Sequence, residues 1–459
     1  MKIKYKLNKT IKMAGIAGVF QIGEKQKVEQ MLESISHRGE FGKEILEMEN
    51  ATIGIVWSQH EDESVKELTR KHIFRDGPGF GHSVEIGRKN NHWEICRDEL
   101  GVAPLYTAFN QDGCIVFASE VKALLPFSKN ITEMPPGHTL SASGLKQNFK
   151  LGQRNHLVED PDGIAMELRS VLSSAIRKRI KTDTIGSWLS GGLDSSTIAA
   201  LARPFVSTLH TFAGGLKDAP DLKSAREVAN HIGSDHHAVI INLESMVKIL
   251  PDVIYQLESF DALLVRSSII NLSVAFAASE YVSEVFSGEG GDELFAGYEY
   301  LKSIPISKLD AELIDITGRL HNTALQRVDR SASAFGTTAH VIFTDPEVFE
   351  FALRIPKDLK LKDGIEKWIL RKAMNGLLPE SILTRTKAKF WEGAGVGTLI
   401  SEFASEKISD ADFKTERKLR NGWIINTKEE LLYYRIFKDH FGEQDQLSWM
   451  GRTKGITSS

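Results

Sequence analysis

Ser190-Gly191-Gly192-Leu193-Asp194-Ser195-Ser196 follows the apolar run Ile185-Gly186-Ser187-Trp188-Leu189 and precedes Thr197-Ile198-Ala199-Ala200-Leu201-Ala202. That order predicts a buried strand, a glycine turn with small hydroxyls, and a helix. Such a turn lets backbone N–H groups and a helix N-terminus converge on a phosphate, with serine hydroxyls as further donors. Asp194 is the odd member, because a carboxylate beside phosphates is repelled unless a cation lies between them. Mg2+ held through a carboxylate and substrate phosphates resolves that conflict. The stretch points to an Mg–ATP or pyrophosphate site.

The loop is not the longer one that ends in Gly-Lys-Ser/Thr, and it carries no lysine to reach a terminal phosphate. A turn built for pyrophosphate suits chemistry that splits ATP between its α and β phosphates. AMP then passes to an acceptor, commonly a carboxylate. Taken alone, the same residues also describe a small-residue turn before a helix.

A second strand-like run, Val282–Phe286, empties into Ser287-Gly288-Glu289-Gly290-Gly291-Asp292-Glu293-Leu294-Phe295-Ala296-Gly297-Tyr298. Acids crowded on a turn repel one another, so the cluster wants cations. Asp292 can supply a second Mg2+ ligand beside Asp194, leaving Glu289 for proton transfer or substrate orientation. A solvated acidic loop is the plain alternative, weakened by two such turns following two strands. A third stretch, Arg385-Thr386-Lys387-Ala388-Lys389-Phe390-Trp391-Glu392-Gly393-Ala394-Gly395, puts cations next to aromatics and glycines. A lysine there can lie against the α-phosphate and stabilise a developing oxyanion; read alone, it is a helix end with solvent-facing charges.

The rhythm around these turns sets the fold class. Helix Ile164–Lys178, strand Ile185–Leu189, strand Thr208–Ala213, helix Asp221–Ile232, strand Ala238–Ile241, helix Arg266–Ala278 and strand Val282–Phe286 imply a doubly wound parallel sheet with ligands at the strands' carboxyl ends. From about residue 305 the chain reads as mostly helical. Before residues 150–162 the pattern is different: short strands at Gly15–Gln21, Thr52–Trp57, His92–Cys96, Pro104–Phe109 and Cys114–Ala118, with one helix at Glu24–Ser36. Asp112-Gly113 is a hairpin signal. That half reads as a layered α+β domain rich in antiparallel sheet.

The 459 residues are enough for two domains or more. A hydrophobic content of 41% and a charged content of 26% are those of a soluble globular protein. A net charge of −4 gives no electrostatic case for nucleic acid. No uninterrupted apolar segment of spanning length and no secretory signal stand out, so neither membrane nor export is expected and a cytoplasmic location is the default. The two cysteines, Cys96 and Cys114, sit in apolar runs and are expected to be buried structural thiols. Residues 1–12 are a lysine-rich extension, with Met13 expected to open the first domain. His231, His236 and His237 are expected to be structural. The helix around Glu429–Phe441, with Leu431, Leu432, Tyr434 and Phe437 recurring, is expected to be core or interface.

Taken together these residues resemble the asparagine synthetase family, which includes β-lactam synthetases and peptide-cyclising relatives. The segments that carry the resemblance are Ser190–Ser196, His210–Val239, Leu257–Ser268, Ser287–Tyr298, Leu325–Arg330, Leu370–Ile382 and Arg385–Gly395. The resemblance implies a PP-loop ATP pyrophosphatase domain over 161–459. In it Asp194 and Asp292 hold Mg2+, and Ser190, Gly191, Gly192, Ser195, Ser196 and Gly288 face ATP or pyrophosphate. Glu289 and Lys387 match the family's reactive glutamate and lysine. The front half, 13–152, resembles the N-terminal-nucleophile (Ntn-hydrolase-like) glutaminase domain through Ala14–Gly18, His37-Arg38-Gly39, Arg97–Tyr106, Phe117–Glu120 and Pro135–His138.

Two departures shape the expected function. A glutaminase of this type attacks with an N-terminal cysteine whose own amine acts as base; the matching residue here is Ala14. The stretch from Glu40 to His92 is also short, with no counterpart of the family's Arg-Leu-Ser and Asn-Gly-Glu motifs. The front domain is therefore expected to be a degenerate amidotransferase. Second, where asparagine synthetases read Glu-Ala-Arg-Val-Pro-Phe-Leu-Asp, this chain has Thr338-Ala339-His340-Val341-Ile342-Phe343-Thr344-Asp345. That change puts aspartate in question as the acid, because an Arg fork and a His ring are not interchangeable around a carboxylate. The expected activity is Mg–ATP-dependent adenylation of a small carboxylate (aspartate or a related acid), then amide formation with ammonia rather than glutamine. The alternatives are intramolecular amide formation, as in β-lactam synthetases and peptide cyclases, or a non-catalytic ATP-binding regulator. The resemblance also admits a homodimer.

Overall fold

The computed structural model describes residues 14–89, 92–386 and 393–453. The first half contributes β1 (Gly15–Val19), α1 (Lys25–Ser34), β2 (Gly42–Met48), β3 (Ala51–Trp57), α2 (Asp62–Arg70), β4 (Phe74–Gly79), β5 (His82–Lys89) and β6 (His92–Arg97). It continues with β7 (Tyr106–Phe109), β8 (Ile115–Ala118), β9 (Thr132–Glu133), β10 (His138–Ser141) and β11 (Gly144–Gln147). These strands form two antiparallel sheets, ordered β2-β3-β1-β8-β7-β9 and β11-β10-β6-β5-β4. Alternate side chains of the two sheets, Ile16, Ile53, Ile55 and Phe117 from the first and Phe74, Val84, Ile86 and Ile95 from the second, meet in one apolar cluster. The opposite face of the first sheet is covered by Val28, Met31 and Leu32 of α1, spaced three and four apart on one helical side. This is the expected α+β sandwich.

The Asp112-Gly113 hairpin joins β7 to β8, with the Asn110 side chain accepting from the Asp112 and Cys114 amides. The strands that sequence reasoning left out include the margins of the sheets. β11 is exposed along its whole length and β2 is nowhere fully buried, so neither shows hydrophobic alternation. The expectation of a buried Cys96 is corrected. In β6 the buried positions are Trp93, Ile95 and Arg97, so the two-residue period turns Cys96 outward, where it meets Thr139 of β10.

The second half opens with α3 (Pro161–Arg177), β12 (Thr184–Trp188), α4 (Leu193–Ala202), β13 (Thr208–Gly215), α5 (Pro220–Ile232), β14 (Asp235–Ile240), α6 (Leu243–Leu257), α7 (Ala262–Ser279) and β15 (Glu284–Ser287). The short helix α8 (Gly291–Leu294), then α9 (Ile306–Gly318), α10 (Ala324–Ser333) and β16 (Thr338–Val341) follow. The sheet is parallel throughout, ordered β14-β13-β12-β15-β16. The winding reverses between β12 and β15, so the turns that leave those two strands lie side by side at the carboxyl edge. In open α/β sheets that crevice receives ligands. β16 and the short antiparallel pair Leu361–Lys362 with Ile365–Glu366 interrupt the mostly helical reading beyond residue 305, and α6, which carries Pro251 inside it, is an addition to the expected order.

α7 is apolar on nearly every side and, by length and composition, long enough to cross a membrane. Its place explains the composition. It is packed in the main core with β13 and α10, Gly214 of β13 lies beneath its Val274, and Arg266 pairs with Glu429. A helix buried on most of its surface reads as apolar on most sides. The tail helix Lys428–Phe441 buries Leu431, Tyr433 and Phe437 and half-buries Leu432 and Tyr434, as its pattern suggests.

Candidate functional site

The turn after β12 and the turn after β15 touch. A Cβ on Gly288 would come within 2.8 Å of the Ser195 nitrogen and 2.9 Å of its Cα, so only glycine lets the second turn lie against the first turn of α4. Gly192 caps α4 without any side-chain hydrogen bond, which leaves the helix's first amides for a ligand. The Ser190 and Ser195 hydroxyls lie 3.0 Å apart, and the buried Ser196 hydroxyl makes no hydrogen bond within the protein. Backbone donors, hydroxyls and an uncapped helix end suit an anion.

Asp194 and Asp292 meet across these turns on Lys367. The Lys367 ammonium donates to Asp194 Oδ2 and lies 2.6 Å from Asp292 Oδ1. Lys367 is buried and holds φ at +55°, a left-handed conformation uncommon for any residue with a side chain. Gly291 makes room for the Asp194 carboxylate, whose Cγ would sit 2.5 Å from a Cβ there. Two carboxylates from two turns converging on one cation are the donor set a magnesium ion takes when substrate phosphates complete its shell. The residues present fit that group. Nothing in the local sequence singles out Lys367; it follows Glu366 and precedes Trp368 in an ordinary charged-apolar run.

Beside the turns lies a cavity of about 490 Å³. Leu189, Phe212, Gly214 and Val274 line it on the side of β12 and β13, and Glu289, Glu293, Tyr298, Ala324 and Arg327 line it on the side of α8 and α10. Arg327 donates to Glu289 Oε1, so the candidate glutamate is held from α10. The buried Glu293 carboxyl accepts from the Tyr298 hydroxyl. Burial, with the Asp292 carboxylate next to it, raises Glu293 to about 7. Neither Arg327 nor Glu293 was singled out from the sequence, although both lie in segments that carry the family resemblance.

The third glycine-rich stretch is docked onto the first. Arg385 donates to the Gly191 carbonyl at 3.0 Å and to Asp221 Oδ1 at 2.6 Å. A Cβ on Gly393 would fall 2.3 Å from the Asp221 carboxylate, and the Leu216 amide donates to the Ala394 carbonyl. Lys387 lies outside the described residues.

Ala14 is buried at the other end of the molecule's charged interior. The Arg38 side chain packs over the backbone beside it, with Nε donating to the Ala14 carbonyl at 3.2 Å. The same guanidinium reaches Asp76, Glu120 and Asp329, all buried. A compact set of charges fills the space next to the residue that matches the nucleophile.

The altered segment Thr338–Asp345 forms β16 and the turn after it, and none of its residues lines the cavity. Thr344 and Phe343 lie behind Gly290, and His340 faces Glu284 on the neighbouring strand at 3.5 Å. The changed residues therefore lie behind the cavity wall. The histidines sit apart from the cavity: His231 contacts the Leu377 carbonyl, His236 meets Thr211, and His237 lies 3.1 Å from His210.

The family model described as asparagine synthase matches residues 167–314 and 305–455, and one described as a glutamine amidotransferase domain matches 54–126. Asparagine synthetase B (glutamine-hydrolyzing) of Escherichia coli strain K12 is 34% identical over 375 residues, covering 76% of this chain and 67% of that protein. Asparagine synthetase (glutamine-hydrolyzing) of Bos taurus is 33% identical over 414 residues, covering 79% of this chain and 73% of that protein. Among solved structures, NMN synthetase from Francisella tularensis covers 64% of this chain and 100% of its own, with 12% identity and a TM-score of 0.30. With the family model matching more than half of the chain and relatives about a third identical over three quarters of it, the chain belongs to the asparagine synthase family of ATP-dependent carbon–nitrogen ligases.

Proposed function

We propose that this chain uses Mg–ATP to activate a carboxylate as its acyl-adenylate and forms an amide with free ammonia, not with nitrogen drawn from glutamine. Aspartate is the first acid to test, because the relatives are named asparagine synthetases. The observation that carries the reading is the convergence of Asp194 and Asp292 on one cation, beside Glu289 and the uncapped start of α4. In this reading 13–152 is the retained amidotransferase-like domain and 161–459 is the ligase domain.

Each group then has a task. The amides of α4, the Gly288 backbone and the Ser190, Ser195 and Ser196 hydroxyls hold pyrophosphate as it leaves. Asp194 and Asp292 would hold Mg2+, which neutralises phosphate charge when bound. Lys367 sits between those carboxylates and keeps them together when no metal is present. Lys387 stabilises charge at the α-phosphate. Glu289, aimed by Arg327, orients the acceptor or takes a proton from the attacking amine.

The choice of ammonia rests on Ala14, which offers no thiol, and on the short Glu40–His92 stretch, which carries no counterpart of the Arg-Leu-Ser and Asn-Gly-Glu motifs. The test is pyrophosphate release with Mg–ATP and aspartate, comparing ammonium with glutamine. Release with ammonium alone, with asparagine as product, is the expected result. Release with glutamine overturns the nitrogen assignment. No release with aspartate under either donor turns the search to acids that carry their own amine. A thermal shift with Mg–ATP but no turnover over a broad panel of acids indicates a binding protein instead.

A further inference from the structure

Between Ala14 and the ligase cavity lies α10, and it is gripped from both sides. Ala324 and Arg327, three apart, line the cavity, and Arg327 holds Glu289. Asp329 follows Arg327 by two residues, about 200° around the helix at 100° per residue, so it faces the other way. There it meets Arg38 in a fork: Nη1 to Asp329 Oδ2 at 2.9 Å and Nη2 to Oδ1 at 3.0 Å. Arg330, next along, donates to Asp329 at 2.9 Å and to Glu258 at 3.1 Å, and Glu258 accepts the amides of Val121 and Lys122. All of these side chains are buried. A two-pronged Arg–carboxylate contact fixes orientation as well as distance, and here it sets the rotation of the helix that aims Arg327.

We propose that Arg38 and Asp329 are positioning residues for the ligase reaction, through which the amidotransferase-like half holds α10, and with it Arg327 and Glu289, in working register. The inference rests on the reading of the cavity as the ligase site. It gives the front half a task that needs no glutamine. The Arg38 guanidinium also holds Asp76, but Asp76 lies on β4 of the front half itself and its hydrogen bonds go to Arg38 and Ser119, not to α10. Asp76 is therefore the internal control: it meets the same cation and is likewise buried, but it sits on a strand of the front half.

The experiment compares Asp329→Asn, Arg38→Lys and Asp76→Asn with the unaltered protein. A misplacement of about 1 Å can lower a rate about 100-fold. Asp329→Asn and Arg38→Lys are thus expected to lower kcat for pyrophosphate release about 10- to 100-fold, with KM for ATP unchanged. Asp76→Asn is expected to lower the melting temperature without lowering kcat. Asp329→Asn combined with Arg327→Lys is expected to cost far less than the product of the two single losses, because both act through Glu289. A second readout needs no acid substrate. Amide hydrogen exchange over residues 324–333 and 288–292 is expected to quicken in Asp329→Asn and to stay unchanged in Asp76→Asn.

Unaltered kcat in Asp329→Asn, or an equal loss in Asp76→Asn, overturns the positioning role. Unchanged exchange in Asp329→Asn overturns it even where turnover is not measurable. If Asp329→Asn does not fold, Arg38→Lys carries the same comparison. Failure of the unaltered protein to release pyrophosphate with any acid instead overturns the ligase reading, and the two failures are thereby told apart.

Discussion

The molecule holds two charged interiors, and they are arranged in opposite ways. Around the cavity, Asp194 from one glycine turn and Glu289 and Asp292 from the other face about 490 Å³ of open space. Around Ala14, Arg38, Asp76, Glu120 and Asp329 close on one another and leave the guanidinium no exposed surface. The first set is arranged for a guest and the second for itself. A site can keep its fold and much of its charge while its function depends on whether those charges face a space or a partner.

The largest effect that would sharpen this contrast is expected at Asp194. Asp194→Ala removes a carboxylate from the open set, and pyrophosphate release is expected to fall on the order of 1,000-fold. The stabilisation by Mg–ATP seen in a melting curve should vanish with it. Retained release would mean that the cavity is not where the reaction takes place.

Arg38→Met tests the closed set. It leaves Asp76, Glu120 and Asp329 without the cation they share, and breaking a buried pair in this way costs about 3–5 kcal/mol. Urea unfolding should show it, and a loss below 1 kcal/mol would mean that the network is not what holds the halves together.

The closed region also predicts a pH dependence. Burial pushes the Glu61 carboxyl from 4.5 up to about 7, against hydrogen bonds from Ser58. The folded chain then keeps a proton that the unfolded chain releases, so stability falls as pH rises from about 4.5 to about 7 and levels off above. Glu61→Gln should remove that slope and gain on the order of 1–3 kcal/mol at pH 7.5, with no gain at pH 4. A gain of equal size at both pH values would show that burial of the charge is not the cause.

The smallest expected effect is the most pointed. A chain begun at position 14 with Ala14→Cys supplies the missing thiol and amine, yet glutamine hydrolysis is expected to stay undetectable because the short Glu40–His92 stretch has no counterpart of the family's Arg-Leu-Ser and Asn-Gly-Glu motifs. Measurable glutaminase activity would erase the distinction between the two regions.

The open region was far more legible in the sequence than the closed one. Ser190–Ser196 and Ser287–Tyr298 announce themselves because a strand, a glycine turn and a helix are local events with local signals. Lys367 does not. Its importance comes from two carboxylates contributed by other turns, and no spacing rule reaches that far. Asp329 is likewise an ordinary helical acid until Arg38 is brought to it. Cys96 reads as buried because its neighbours are apolar, whereas in a strand the facing alternates and only the register decides. The Thr338–Asp345 change was legible as chemistry but not as location, since a strand one place away from β15 backs the turn without reaching the cavity.

Lys367 and Asp194 are 173 residues apart, Arg385 and Gly191 194, and Thr453 donates to Asp261 across 192. Contacts of such span form late, after the loops they close have lost their freedom. The strands and helices around the turns can therefore be in place while these contact pairs are still apart. In a refolding experiment the far-ultraviolet signal should recover before ATP turnover does, and a half-made chain would have no means of spending ATP.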